Sequence, residues 1–155
     1  MRLVTTFTLF ASLAVAAVDY SSSLTSGKAD MKSAGSLAFG PDGILFVGDS
    51  FGAAIFAIDT QDRKPGAGSG AVEIAGINEK IAALLGTAAD QILINDMAVN
   101  PLSKNAYLSV SRGKGPDAIP VIVRVSRAGK LEEISLDKVK HSRADLPNPV
   151  EAKKD

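Results

Sequence analysis

Two stretches of this chain read as copies of one pattern. The first runs Leu37-Ala38-Phe39-Gly40-Pro41-Asp42-Gly43, then Ile44-Leu45-Phe46-Val47, then Ile55-Phe56-Ala57-Ile58. The second runs Met97-Ala98-Val99-Asn100-Pro101, then Ala106-Tyr107-Leu108-Ser109-Val110, then Val121-Ile122-Val123-Arg124-Val125. The offset is 60 residues, so that Gly35 falls on Asn95, Ala38 on Ala98 and Pro41 on Pro101. A repeated block of short strands cannot bury its apolar faces alone and must stack on a neighbour, as in solenoids and β-propellers. Two blocks are too few to close a propeller ring. The expected fold is all-β: a partial β-propeller of two four-stranded blades with one short inserted helix, the first part of a longer propeller.

Boundaries follow from the breakers. Residues 18–34 are polar and Ser-rich and read as a flexible lead-in ending in an outer strand. The first blade spans 35–76. Within it Leu37 and Phe39 alternate with Ser36 and Ala38, and Pro41-Asp42-Gly43 supplies a tight turn. Ile44 to Val47 is a strand apolar on both faces, Ala53 to Ile58 returns antiparallel to it, and Ala71 to Ala75 completes the blade as its outer strand. Ile77, Ile81, Leu84 and Leu85 fall on one helical face, so 77–92 is a helical insertion, with Asn78 as N-cap and Gly86 as stop. Thr87 and Asp90 suggest a second capping box. The second blade spans 93–136, with strands at Met97–Val99, Ala106–Val110, Val121–Val125 and Leu131–Leu136. Residues 137–155 are charged, contain proline and lack apolar periodicity, and read as a polar inter-blade loop or a truncated tail.

Composition excludes several classes of function. Lys plus Arg and Asp plus Glu each number 17, so no basic footprint points to nucleic acid or to an anionic membrane. There is no cysteine, which removes disulfides, thiolate metal sites and thiol nucleophiles. The single histidine, His141, stands among Lys138, Lys140 and Arg143 and reads as a surface residue. At the N-terminus, Arg2, an apolar run from Leu3 to Val15 and Ala14-Val15-Ala16 match an export signal cut after Ala16 or Ala17. The run is shorter than the roughly 20 residues of a membrane span. Residues 1–17 are therefore read as a signal peptide, and the mature chain as exported, periplasmic or secreted, without a membrane anchor.

Two short motifs carry a family resemblance. Phe46-Val47-Gly48-Asp49-Ser50 followed by Ile55-Phe56-Ala57-Ile58-Asp59 resembles an NHL-type blade, in which a hydrophobic-Asp-Ser turn joins two inner strands. Asn95-Asp96-Met97-Ala98-Val99-Asn100-Pro101 resembles the Asn-Asp-Gly-x-Val-Asp-Pro segment of the gluconolactonase and senescence-marker family. The similarity covers residues 35–136, and the chain is similar to secreted bacterial six-bladed propeller proteins. It implies that Asn95 and Asp96 face a central channel, where such residues hold a divalent cation such as calcium or a substrate, because hard cations take carboxylate and amide oxygen. Asp49 would line the same channel mouth. In the family a metal-binding Glu heads the first inner strand; Gly35 stands there in this chain, and Met97 replaces the family's Gly.

The residues themselves leave a second reading open, in which Asn95, Asp96 and Asp49 stabilise turns through backbone bonds. The loop Ser111 to Asp117 is basic and Gly-rich but lacks the features of a phosphate-binding P-loop and reads as a solvated hairpin loop. Three readings follow, the third being a truncated product with no independent activity. The first is an exported ligand-binding or scaffolding propeller that takes a small-molecule or protein ligand at its channel mouth. The second is a metal-dependent lactonase-like hydrolase. With only two blades present, uncovered apolar faces predict self-association.

Overall fold

A computed structural model describes residues 19–66 and 70–150. The expected signal peptide lies outside the described residues. The described residues form two antiparallel sheets and one α-helix. Strands β1 (Thr25–Gly27), β2 (Leu37–Phe39), β3 (Ile44–Asp49) and β4 (Ala54–Asp59) precede helix α1 (Ile77–Leu84). Strands β5 (Ile92–Val99), β6 (Ala106–Arg112), β7 (Ile119–Val125), β8 (Leu131–Ile134) and β9 (Val139–Asp145) follow it. The first sheet has the order β1-β9-β4-β3-β2 and the second β5-β6-β7-β8. The second is a plain meander, which the repeated turn chemistry dictates. The first is a meander of three strands completed from the far end of the chain.

That completion corrects the reading of residues 137–155 as loop or tail. Residues 139–145 are a strand that pairs with β4 on one side and β1 on the other. Only Val139 of this strand is buried, so hydrophobic period carries no signal; backbone pairing with β4 defines it instead. Residues 71–74, expected as the outer strand of the first blade, adopt no regular structure, and β9 stands in that place.

Three layers result. Leu45, Val47, Phe56 and Ile58 of the first sheet pack against Tyr107 and Ile122 of the second, with Leu37 and Phe39 beside them. The other face of the second sheet, with Leu108, Val110, Val121 and Val123, is covered by Ile81 of α1 and by Leu85 just beyond it. The ring of Phe39 meets Tyr107 edge-on at 5.1 Å, a preferred aromatic geometry. Ile44–Val47 was expected to be buried on both faces, but Phe46 is 39% exposed. The far face of the first sheet has no covering element at that point among the described residues.

The helix begins two residues earlier than its sequence suggests. Gly76, in the left-handed conformation, is the N-cap, and Asn78 lies inside the first turn. Gly86 ends the helix with φ +65°, a conformation that glycine adopts without strain. Thr87 and Asp90 form no capping box: Ala88 is the N-cap of the following 3-10 turn and no side chain caps it. No helix among the described residues is long and apolar enough to cross a membrane.

Candidate functional site

The expected site residues converge on one short segment of backbone. Strand β2 is three residues long and lies at the edge of its sheet, so it leaves donors and acceptors unpaired on one side. Strand β5 of the second sheet runs beside it. Between Ile94 and Asp96 the pairing of β5 with β6 shifts by one residue, a β-bulge centred on Asn95. A bulge re-aims the side chains next to it. Here it turns Asn95 and Asp96 onto the segment 34–37.

The bonds are specific. The Asp96 carboxylate accepts the N–H of Leu37 through Oδ2 and the N–H of Met97 through Oδ1, each at 2.8 Å. These two backbone donors, Leu37 first, hold its carboxyl below the usual range for aspartate. The Asn95 amide Nδ2 donates to the Ala34 carbonyl at 2.8 Å and to Ser111 Oγ at 2.9 Å. Ser109 Oγ donates to the Gly35 carbonyl at 2.7 Å.

Asp49 grips the same segment from the first sheet. It is 1% exposed. Its Oδ2 accepts the Lys32 N–H, and its Oδ1 accepts the Ser33 N–H, the Ser33 hydroxyl and the Gly52 N–H, all at 2.8 Å. Asp49, Asn95 and Asp96 are thus brought together as one clasp on residues 32–37. Their polar atoms are directed at backbone, and the clasp joins the two sheets along a seam that apolar packing alone leaves open.

A second polar cluster, at the opposite end of the strands, was not foreseen. Asp62 Oδ2 accepts from Ser103 Oγ at 2.6 Å, Asn105 Nδ2 at 2.9 Å and the Tyr107 hydroxyl at 2.9 Å. Asn100 Nδ2 donates to the Asp62 carbonyl at 2.7 Å. Tyr107 is fully buried, and burial pushes its phenol up to about 12. Beside it Arg124 donates to Glu132, which also receives Lys130 Nζ at 2.7 Å. Lys130 and then Arg124 draw the Glu132 carboxyl down to about 2. Asp62 sits in a loop with no local signal. The only sequence clue was Tyr107, since a tyrosine inside an apolar strand needs a partner for its hydroxyl.

Among the described residues two clefts stand out on the surface, and neither is lined by Asn95, Asp96 or Asp49. One, of about 490 Å³, lies between Ala29–Met31 and the edge formed by Val121, Ile134 and Leu136. The other, of about 300 Å³, is lined by Asp62, Asn105, Arg124, Arg127 and Glu132. Among the described residues no group of three or more His, Cys, Asp or Glu is placed to share a metal ion. His141, in β9, pairs across to Ile58 of β4, with Nδ1 3.1 Å from the Val139 carbonyl and its ring near Phe56. No family model, no curated protein and no solved structure matches the chain.

Proposed function

We propose that this chain is an exported binding or scaffolding module built from two propeller-type blades, and that it works by presenting a surface to a ligand or partner. The observation that carries this reading is the satisfied state of the clasp. Asp96, the best candidate for a metal ligand, already accepts a backbone N–H on each oxygen. A cation there would compete with the Leu37 and Met97 N–H groups for the carboxylate's electron density and so weaken the bond that ties Leu37 across the seam. The lactonase-like alternative needs that carboxylate free to hold a metal that polarises a carbonyl.

The blade reading is supported by the meander β5-β6-β7-β8 and by β2-β3-β4 with β9 in the fourth place, packed with β2 beside β5. The export reading is supported by the charge and apolar run of residues 1–17. One surface left for a partner is the far face of the first sheet, where Phe46 and Ile55 are exposed; Leu93, Met97 and Val99 expose another along β5.

Calcium titration followed by thermal unfolding tests the choice between the two functions. For the binding module, melting of the parent and of Asn95→Ala/Asp96→Ala is unchanged by calcium. A rise with calcium in the parent that the double variant lacks would establish a cation site at the bulge, since a ligand of the native state adds stability by mass action.

A further inference from the structure

The far face of the first sheet has a pattern that selects its own occupant. Register sets its residues in two cross-strand rows, Ala38–Phe46–Ala57–Ser142 and Gly48–Ile55–Ala144. Neither row contains a charged residue. The solvated face of an antiparallel sheet ordinarily carries the polar half of an alternating pattern. Here it carries two large apolar side chains, Phe46 and Ile55, 39% and 42% exposed, among alanines and a glycine.

The placement of large beside small is regular. On β3, Phe46 is followed on the same face by Gly48; on β4, Ile55 is followed by Ala57. An in-plane two-fold axis across the strands, midway between the rows, would lay Phe46 over the partner's Gly48 and Ile55 over the partner's Ala57. The reciprocal contacts come with it. An isologous interface requires this kind of self-complementarity. An isologous contact uses the same face on both copies and so closes at two, and Ile81 and Leu85 at α1 cover part of the second sheet's far face and keep it from repeating that contact.

We infer that the partner of this face is a second copy of the chain, giving a two-fold dimer through the outer surface of β2, β3, β4 and β9. The inference rests on the reading of the chain as a binding module. The size of the face sets the strength. Strands β3, β4 and β9, of six or seven residues, and the three-residue β2 cover at most roughly 20 Å by 20 Å, or about 800 Å² for the pair, the size of a weak, transient interface. Such a dimer is in exchange with monomer at micromolar concentration.

The absence of cysteine makes the test clean, because Ala57→Cys introduces a single thiol at the centre of the face. The rate of its maleimide labelling is measured against protein concentration, alongside sedimentation. The dimer predicts that labelling slows about tenfold between concentrations well below and well above the dissociation constant, as mass action requires. It also predicts that adding Ile55→Glu restores fast labelling, because the charge would be buried twice across the axis. Ile55 is partly exposed, and retained circular dichroism checks that this variant folds. Fast labelling at every concentration overturns the dimer. Slow labelling independent of concentration also overturns it and assigns the covering to the chain's own residues. Failure of the underlying reading shows instead as the calcium-dependent melting described above, which labelling does not report.

Discussion

Removing the Asp49 carboxylate is the sharpest perturbation of the clasp. Four donors converge on it, three of them backbone N–H groups, each at 2.8 Å. A hydrogen bond to a charged group contributes about 1.5–3 kcal/mol, and a donor left unsatisfied in a buried place costs about 1–3 kcal/mol. These figures do not add in full, because the four bonds share one acceptor and the freed loop can relax towards water. Asp49→Ala is therefore expected to cost about 3–5 kcal/mol, a large share of the roughly 5–15 kcal/mol typical of a folded domain. Asp49→Asn retains one acceptor oxygen but turns an amide N–H₂ on neighbouring donors, and should cost about half as much. Urea unfolding measures both. With a slope of about 2 kcal/mol per molar, the midpoint of Asp49→Ala falls by about 2 M with the slope unchanged. A loss under about 0.5 kcal/mol, the range of ordinary surface changes, would refute the argument that this carboxylate holds 32–33 in place.

Two further outcomes follow from the same bonds and from the buried tyrosine. Gly52→Ala places a Cβ 2.2 Å from Asp49 Oδ2, a carboxylate pinned by its other donors, so it should destabilise by about 1–3 kcal/mol in thermal or urea unfolding. Tyr107, with its folded pKa raised above the unfolded value, adds stability that is full below pH 10 and is lost between about pH 10 and 12. That loss should be up to about 3 kcal/mol in pH-dependent unfolding and should vanish in Tyr107→Phe, which itself costs about 1 kcal/mol at neutral pH.

Much of the fold was legible because its strands announce themselves locally. Leu37 and Phe39 alternate with polar or small neighbours, Pro41-Asp42-Gly43 turns the chain, and Val121–Val125 can do little but bury itself in a sheet. The repeat offset placed the two meanders, and the spacing of Ile77, Ile81 and Leu85 found the helix. What was hidden depended on distant partners. Strand β9 is a charged segment with one buried side chain, and the open edge of β4, more than 80 residues earlier, makes it a strand. The tract Ala71–Ala75 had the better local composition for a strand but no edge to join, because β9 occupies it.

The candidate site divides in the same way. Asn95, Asp96 and Asp49 stand out in the sequence as short polar side chains beside strand ends, and in the structure their polar atoms are directed at backbone. Their object was not readable. The bulge at Asn95 and the unpaired edge of β2 exist only once the two sheets meet, and these turn the side chains onto residues 32–37. Asp62 was invisible for the same reason: its three side-chain donors come from residues about 40 positions later.

Amide hydrogen exchange at Leu37 tests the clasp most directly. Its N–H has one acceptor, Asp96 Oδ2, across the seam between the sheets. The account predicts a protected amide in the parent chain and exchange about tenfold or more faster in Asp96→Ala, while the amides of β6 and β7 keep their rates, the signature of a local rather than a global opening. A Leu37 amide that exchanges freely in the parent, or one that stays equally protected without Asp96, would contradict it.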